Sequence, residues 1–314
     1  VTDIDALTLQ GSQLLTGRGA PFAPHDGIRA LMRATDLGGA EAPVILATLA
    51  AMGSGLPQSW PKALELLGVA AARGSRRAQG QILALCEDLP SGAEDWVARA
   101  RRIDVARWTA SPGKTILSES PRVRLLKGFV SPQICSWLIG VGRGQVTPAL
   151  VYDQETGAPR VVDARSNSAL ELSIVDLDLV AVLLRTRIAA ATGIPVAAFE
   201  PPQILHYDVG QKFDRHYDFL DASEPAYAQD VAQRGQRIIT FLLYLNEDYE
   251  GGETEFPKIG LSVKGKPGDA VMFANVDRSG APDYMTLHAG APPTSGEKWL
   301  LSQWIRDRAP PPVG

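Results

Sequence analysis

Two histidines and an aspartate set out the chemistry within reach of this chain. His216 and Asp218 are separated by one residue, and His288 lies far beyond them. In an extended strand, residues i and i+2 project to the same face, so His216 and Asp218 can reach one ion while Tyr217 points away. His288 must then arrive from a distant strand. Two imidazoles and one carboxylate cover one face of a metal and leave the other face open, which suits a non-haem Fe(II) centre that activates oxygen. Lys298 follows His288 and offers an ammonium that could hold an acidic co-substrate beside the metal.

The same pattern occurs once more, as His206-Tyr207-Asp208. An isolated His-x-Asp is weak evidence, more often a hydrogen-bonded surface pair than a ligand set. The chain has four histidines (His25, His206, His216 and His288), and spacing alone does not choose between the two motifs. Cys86 and Cys135 are the only cysteines and form no Cys-x-x-Cys, so a zinc site or redox dithiol has nothing to build on. Gly251-Gly252 reads as a hairpin turn, without the context of a phosphate-binding loop.

Bulk properties narrow the field further. The 314 residues are 45% hydrophobic and 21% charged, an ordinary globular balance with room for two domains. A net charge of −4 with no basic run disfavours nucleic acid as a partner. Neither a secretory signal nor a long apolar run is visible, so the expectation is a cytoplasmic protein without a membrane span.

The elements that must position these residues lie mostly after residue 120. "VRLLKGFV" (123–130) is strand-like, and Ser131-Pro132 opens a helix with Ser as N-cap and Pro at N1. Residues 173–192 form a second helical pattern, stopped by Gly193 and Pro195. Strand signals then dominate at 202–209, 236–245, 261–264, 269–274 and 297–306, with Gly/Pro turns between them. Helices followed by short strands predict an α+β chain with an antiparallel jelly roll (a double-stranded β-helix) buttressed by helices.

Residues 1–110 have a different texture, rich in Ala, Leu and Gly. A shift of 36 positions aligns Ala6 with Ala42 and Ala78, Gly17 with Gly53, Leu31 with Leu67, and Gly38 with Gly74. Apolar residues recur at helical spacing, as in Ala63, Leu66, Leu67 and Ala70, with Gly38 and Gly74 as helix ends. Such a period predicts stacked helical hairpins. "ALELLGVAAARGSRRAQGQILAL" resembles the Sel1-like branch of the tetratricopeptide family over residues 5–88. That resemblance implies a module for binding a protein partner or positioning substrate; a plain helical cap is the alternative. Trp96 to Trp108 reads as one more helix, broken at Ala110-Ser111-Pro112-Gly113.

"QILHYDVGQKFDRHYDF", "QRIITFLLYLNEDYEGGETEFP", "KGKPGDAVMF" and "TLHAGAPPTSGEKWLLSQWI" resemble the catalytic domain of prolyl 4-hydroxylases, which are Fe(II)- and 2-oxoglutarate-dependent dioxygenases. Upstream, "PRVRLLKGFVSPQICSWLI" and "DARSNSALEL" extend the resemblance, giving a catalytic domain over 117–310. It implies Fe(II) held by His216, Asp218 and His288, with O2 as oxidant and ascorbate as reductant. It implies that Lys298 pairs with the distal carboxylate of 2-oxoglutarate and that Tyr207 and Thr240 line the same pocket, which makes His206-Tyr207-Asp208 a pocket wall. Arg165 falls where the family has an arginine in a flexible segment near the peptide groove, which makes it a candidate substrate contact, and Trp299 packs. The implied reaction hydroxylates a prolyl residue of a peptide or protein, releasing succinate and CO2. Alternatives are another residue, a free amino acid, a small metabolite, or an inactive helical-repeat adaptor. One departure stands out: Phe213 replaces the tyrosine often found three residues before the first ligand. Residues 219–235 form a variable loop in the region that covers the site.

Overall fold

A computed structural model describes residues 3–86, 95–152 and 158–309. They divide into two units, Val1–Ala110 with Leu172–Ala190, and Ser111–Glu171 with Ala191–Gly314. Among the described residues, no helix is long and apolar enough to cross a membrane.

The first unit is helical. Helices Ile4–Thr16, Pro24–Asp36, Ala42–Met52, Trp60–Ala72 and Arg76–Leu85 follow one another. The 36-residue repeat marks their ends: Gly17 and Gly53 cap the first and third helices in the left-handed conformation that glycine adopts freely. Gly38 and Gly74 both take φ +94° just past the second and fourth. The anticipated face Ala63, Leu66, Leu67 and Ala70 is buried. Small residues let the first helix pair close up, since a Cβ on Gly27 would sit 2.8 Å from the Gly11 carbonyl oxygen. The last two residues of the repeat reading, 87 and 88, lie outside the described residues.

Two expectations for this unit need correction. The helix expected from Trp96 to Trp108 is two short helices, Trp96–Ala100 and Val105–Thr109. Asp104 accepts a bond from the Arg107 amide and starts the second afresh, as an N-cap does. The helix expected at 173–192 starts at Leu179, where Asp178 caps the Ala181 amide at 2.9 Å. Gln81 accepts from the Leu179 amide and Arg77 donates to the carbonyls of Asp176 and Leu177, which joins this segment to the helical unit.

In the second unit, an eight-stranded sheet runs in the order Thr115–Glu119, Arg122–Leu126, Ala270–Ala274, Arg237–Tyr244, Lys298–Arg306, Gln203–Tyr207, Ser168–Glu171, Thr147–Pro148. A four-stranded sheet orders Leu261–Val263, Thr254–Phe256, His288–Gly290, Phe213–His216. The strand pairings within both are antiparallel. Leu205, Tyr207, Leu242, Tyr244, Phe273 and Leu300 of the large sheet share one core with Phe256 and Val263 of the small one. This is the jelly roll, and the five strongest strand signals all fall on its strands. The strand anticipated at 123–130 stops at Leu126, because Gly128 turns the chain at φ +56°. Ser131 caps the helix Pro132–Gly142, with Pro132 at its start. That helix lies close on the sheet: a Cβ on Gly142 would meet Ile204 and Trp299 at 2.8 Å.

Candidate metal centre

The small sheet brings the three ligand candidates together. His216 ends its strand, His288 begins its own, and the two are direct cross-strand partners. Their rings consequently lie side by side, 4.2 Å between centroids. Asp218 departs from the simple alternation expected: the strand ends at His216, and a bend beyond it returns the carboxylate to the site. Asp218 Oδ1 lies 3.6 Å from His216 Nε2, and Oδ2 lies 3.3 Å from His288 Nε2. One ligand atom from each residue falls within 4.8 Å of the others, the sole such His/Cys/Asp/Glu cluster found among the described residues.

Backbone carbonyls fix both imidazoles. His216 Nδ1 faces the Asp214 carbonyl at 2.7 Å, and His288 Nδ1 faces the Thr286 carbonyl at 2.9 Å. A carbonyl oxygen accepts only, so each Nδ1 carries the proton and each Nε2 presents a lone pair to the common centre. Burial pushes the His216 pKa down and the neighbouring His288 pushes the same way, which favours the neutral ring. Burial alone would raise the Asp218 pKa, but the His288 and His216 side chains beside it hold it well below the usual carboxylate range. Thr240 Oγ1 donates to Asp218 Oδ2 at 2.6 Å, and Asn275 Nδ2 donates to Thr240 Oγ1 at 3.0 Å.

Lys298 points into a recess beside this triad. Its side chain is fully buried, and Nζ has no hydrogen-bond partner among the described residues. Burial lowers its pKa to about 7. Lys298 is the cross-strand partner of Tyr207, whose ring lies 4.9 Å from Nζ. Burial raises the Tyr207 pKa to about 12, keeping the phenol neutral. Thr254 lines the same recess, with its hydroxyl 2.9 Å from the Tyr244 hydroxyl.

Thr240, expected to line the recess, turns its hydroxyl to Asp218. Thr254, which the sequence reading did not single out, lines the recess. The signal was present in Thr254-Glu255-Phe256, a buried–exposed–buried alternation that turns Thr254 inward with Phe256. The second His-x-Asp motif separates by the same alternation. Tyr207 faces the recess, while His206 turns away to Glu297 (2.9 Å) and the Trp299 ring, and Asp208 is exposed.

A larger groove of about 640 Å³ opens over His216 and Asp218, with Leu150, Arg165, Phe213, Tyr217, Tyr284 and Trp304 among its walls. Arg165 is buried, not part of a free segment. Its three nitrogens reach Leu150 O, Gln203 Oε1 and Asn167 Oδ1, and its guanidinium covers the Phe213 ring at 4.7 Å. Phe213 in turn stacks on His216, centroids 3.5 Å apart and planes 12° apart. The residue that departs from the family pattern therefore serves as a flat support for a ligand imidazole. Within the loop 219–235, helix Pro225–Arg234 is held by Arg306, which bonds Asp230 at 2.7 Å and the Gly235 carbonyl at 2.6 Å.

The 2OG-Fe(II) oxygenase superfamily matches residues 202–306. Prolyl 4-hydroxylase 1 of Arabidopsis thaliana is 33% identical over 230 residues, covering 66% of this chain and 80% of its own length. The chain belongs to the prolyl 4-hydroxylase family. It is accordingly a 2-oxoglutarate-dependent dioxygenase, and the family's chemistry calls for Fe(II), 2-oxoglutarate and O2. Prolyl 4-hydroxylase 13 of the same plant is 33% identical over 207 residues, covering 61% of this chain and 73% of its own. A solved viral collagen prolyl hydroxylase from Paramecium Bursaria Chlorella virus-1 in its 2OG complex aligns with a TM-score of 0.44 and 26% identity, covering 59% of this chain and 95% of that one.

Proposed function

We propose that this dioxygenase hydroxylates a prolyl residue of a peptide or protein at C4, with Fe(II) held by His216, Asp218 and His288 and the distal carboxylate of 2-oxoglutarate held by Lys298. The donor set fits ferrous iron: two neutral imidazoles with Nε2 free and one ionised carboxylate on a single side. Iron so held would supply oxygen activation coupled to decarboxylation of the co-substrate to succinate. The remaining work belongs to the chain. Lys298 donates to the carboxylate remote from the metal, a charge-assisted bond worth about 1.5–3 kcal/mol. Tyr207 and Thr254 offer hydroxyls to the same recess. Phe213 and the backbone carbonyls hold the imidazoles still, and the groove orients the substrate and limits water.

The single observation that carries this reading is the buried ammonium of Lys298, without a hydrogen-bond partner among the described residues, in a recess shared with the triad. A buried cation left alone is costly, and an acidic ligand satisfies it. The same placement disfavours an inactive adaptor. The open 640 Å³ groove favours a peptide over a free amino acid or small metabolite. The helical-repeat unit is read as a module for a protein partner, on its resemblance to Sel1-like repeats.

Succinate release from 2-oxoglutarate, with Fe(II), ascorbate as reductant and proline-containing peptides, tests the proposal. Peptide-stimulated turnover with 4-hydroxyproline detected by mass spectrometry is expected, and His216→Ala should abolish it. Full turnover in His216→Ala refutes the metal assignment; hydroxylation of a different residue refutes the prolyl one.

A further inference from the structure

We infer that Asn275 is a positioning residue for the metal site, acting on both Asp218 and His288 from one buried position. The inference rests on the reading that these residues hold Fe(II). Asn275 ends the region of the strand Ala270–Ala274 and is fully buried. Its backbone amide donates to the Ile238 carbonyl at 2.9 Å, which fixes it beside the strand that carries Thr240.

The side chain acts on Asp218. Nδ2 donates to Thr240 Oγ1 at 3.0 Å, so the hydroxyl oxygen is already an acceptor. A hydroxyl has one proton, and two directions are open to it: Asp218 Oδ2 at 2.6 Å or Asn275 Oδ1 at 3.4 Å. The short bond to an ionised carboxylate prevails. Asn275 thereby sets the direction of the Thr240 hydroxyl, and that hydroxyl sets the rotation of the Asp218 carboxylate.

The backbone acts on His288. The Asn275 carbonyl accepts from the Asp283 amide at 3.0 Å. Asp283 organises the turn that follows: Oδ1 takes the Met285 amide at 2.9 Å, and its carbonyl takes the Thr286 hydroxyl at 2.6 Å. The Thr286 carbonyl then holds His288 Nδ1 at 2.9 Å. One residue therefore anchors two ligands that approach from different strands. An apolar side chain of similar size would fill the space without a desolvation cost, but would leave the Thr240 hydroxyl without its donor.

The side-chain half is testable by metal titration of the full chain, with Mn(II) followed by calorimetry or Co(II) by visible absorption. Partners in the outer shell of metal sites are worth roughly 10–100-fold in affinity, so Asn275→Ala should weaken binding by about tenfold or more. Thr240→Val should weaken it by a similar factor. The double variant should be no worse than the weaker single, because both changes break the same chain of bonds that ends on Asp218. Unchanged affinity in Asn275→Ala, or full additivity in the double variant, overturns the inference. A merely structural role would lower the thermal midpoint of the metal-free chain while leaving the metal Kd alone. Should Asn275→Ala not fold, Asn275→Ser, whose hydroxyl is too short to replace the amide, carries the same test. Failure of the wild-type chain to bind metal would instead sink the functional reading, which keeps the two failures apart.

Discussion

At the scale of single residues, the pairing of charge and burial explains what each group is for. Asp218 keeps its charge because the imidazoles beside it and the Thr240 hydroxyl favour the carboxylate, whereas burial outweighs the pull of Glu253 on Lys298 and pushes it down to about 7. A bound carboxylate would restore Lys298 toward its ordinary value, so co-substrate binding is linked to protonation. Below pH 7 the ammonium is already formed, and binding takes up no proton. Above pH 7 a proton must be acquired, so the apparent Kd for 2-oxoglutarate should weaken by about tenfold per pH unit until the pKa of the complex is reached. The same linkage makes the ligand-free chain gain stability as pH rises from about 7 to 10.5, where the unfolded chain holds the proton that folded Lys298 has lost. Calorimetric titration with 2-oxoglutarate from pH 6 to 9 measures the first effect. Lys298→Ala should abolish the pH slope and raise the KM for 2-oxoglutarate while leaving metal binding intact; a slope that survives the substitution would refute the assignment.

At the scale of elements, the long strands were the most legible, although the three-residue Leu261–Val263 was read as well. The long strands Arg237–Tyr244 and Lys298–Arg306 have enough residues for β-branched and aromatic enrichment to speak. The strands that carry the ligands, Phe213–His216 and His288–Gly290, are four and three residues long and show too little alternation to be seen. Family resemblance, not periodicity, located those ligands. Thr240 and Thr254 show the limit of that route, since both lie on buried strands and their hydroxyl directions are known only from geometry. A second network escaped the sequence altogether. Glu200 takes two bonds from Arg237 (2.7 and 2.8 Å) and one from Arg306 (2.6 Å), residues far apart in the chain. Arg306 continues to Asp230, so two long strands and the helix Pro225–Arg234 beside the groove share one buried ionic joint. Removing one partner of such a pair leaves a buried charge, so Glu200→Ala should cost about 3–5 kcal/mol in urea unfolding. Burial alone would raise the Glu200 pKa, but Arg237 and Arg306 together hold it below 4.5. Its stabilisation should be fully present above pH 4.5 and fade as pH falls through the lower folded value. Equal stabilities of wild type and Glu200→Ala at pH 7 would remove the joint from the account.

At the scale of the whole molecule, the helical repeat was legible because it needs no template: the chain is compared with itself, and glycines recur at the helix ends. The path of the chain was not legible. Residues Leu172–Ala190 belong with the helical unit although they are flanked on both sides by strands of the jelly roll, so the chain leaves one unit and returns to it. The helix Leu179–Thr192 buries Leu179, Val180, Leu183, Leu184 and Ile188, and apolar residues spread around a helix form no stripe that names its partner. Hydrogen bonds name it instead: Gln81 to Leu179, Arg77 to Asp176, and Arg187 to Arg107. A cut at the boundary that composition suggests, near residue 111, would therefore remove those partners and leave the returning helix behind. Each large aliphatic side chain exposed in this way costs about 1.5–3 kcal/mol. A fragment of residues 111–314 should consequently bind a dye for exposed apolar surface, aggregate in size-exclusion chromatography, and unfold well below the full chain, even though it keeps all the residues of the metal centre. A monomeric fragment with the thermal midpoint and metal affinity of the full chain would show that the helix finds its own cover, and that the jelly roll folds without the first 110 residues.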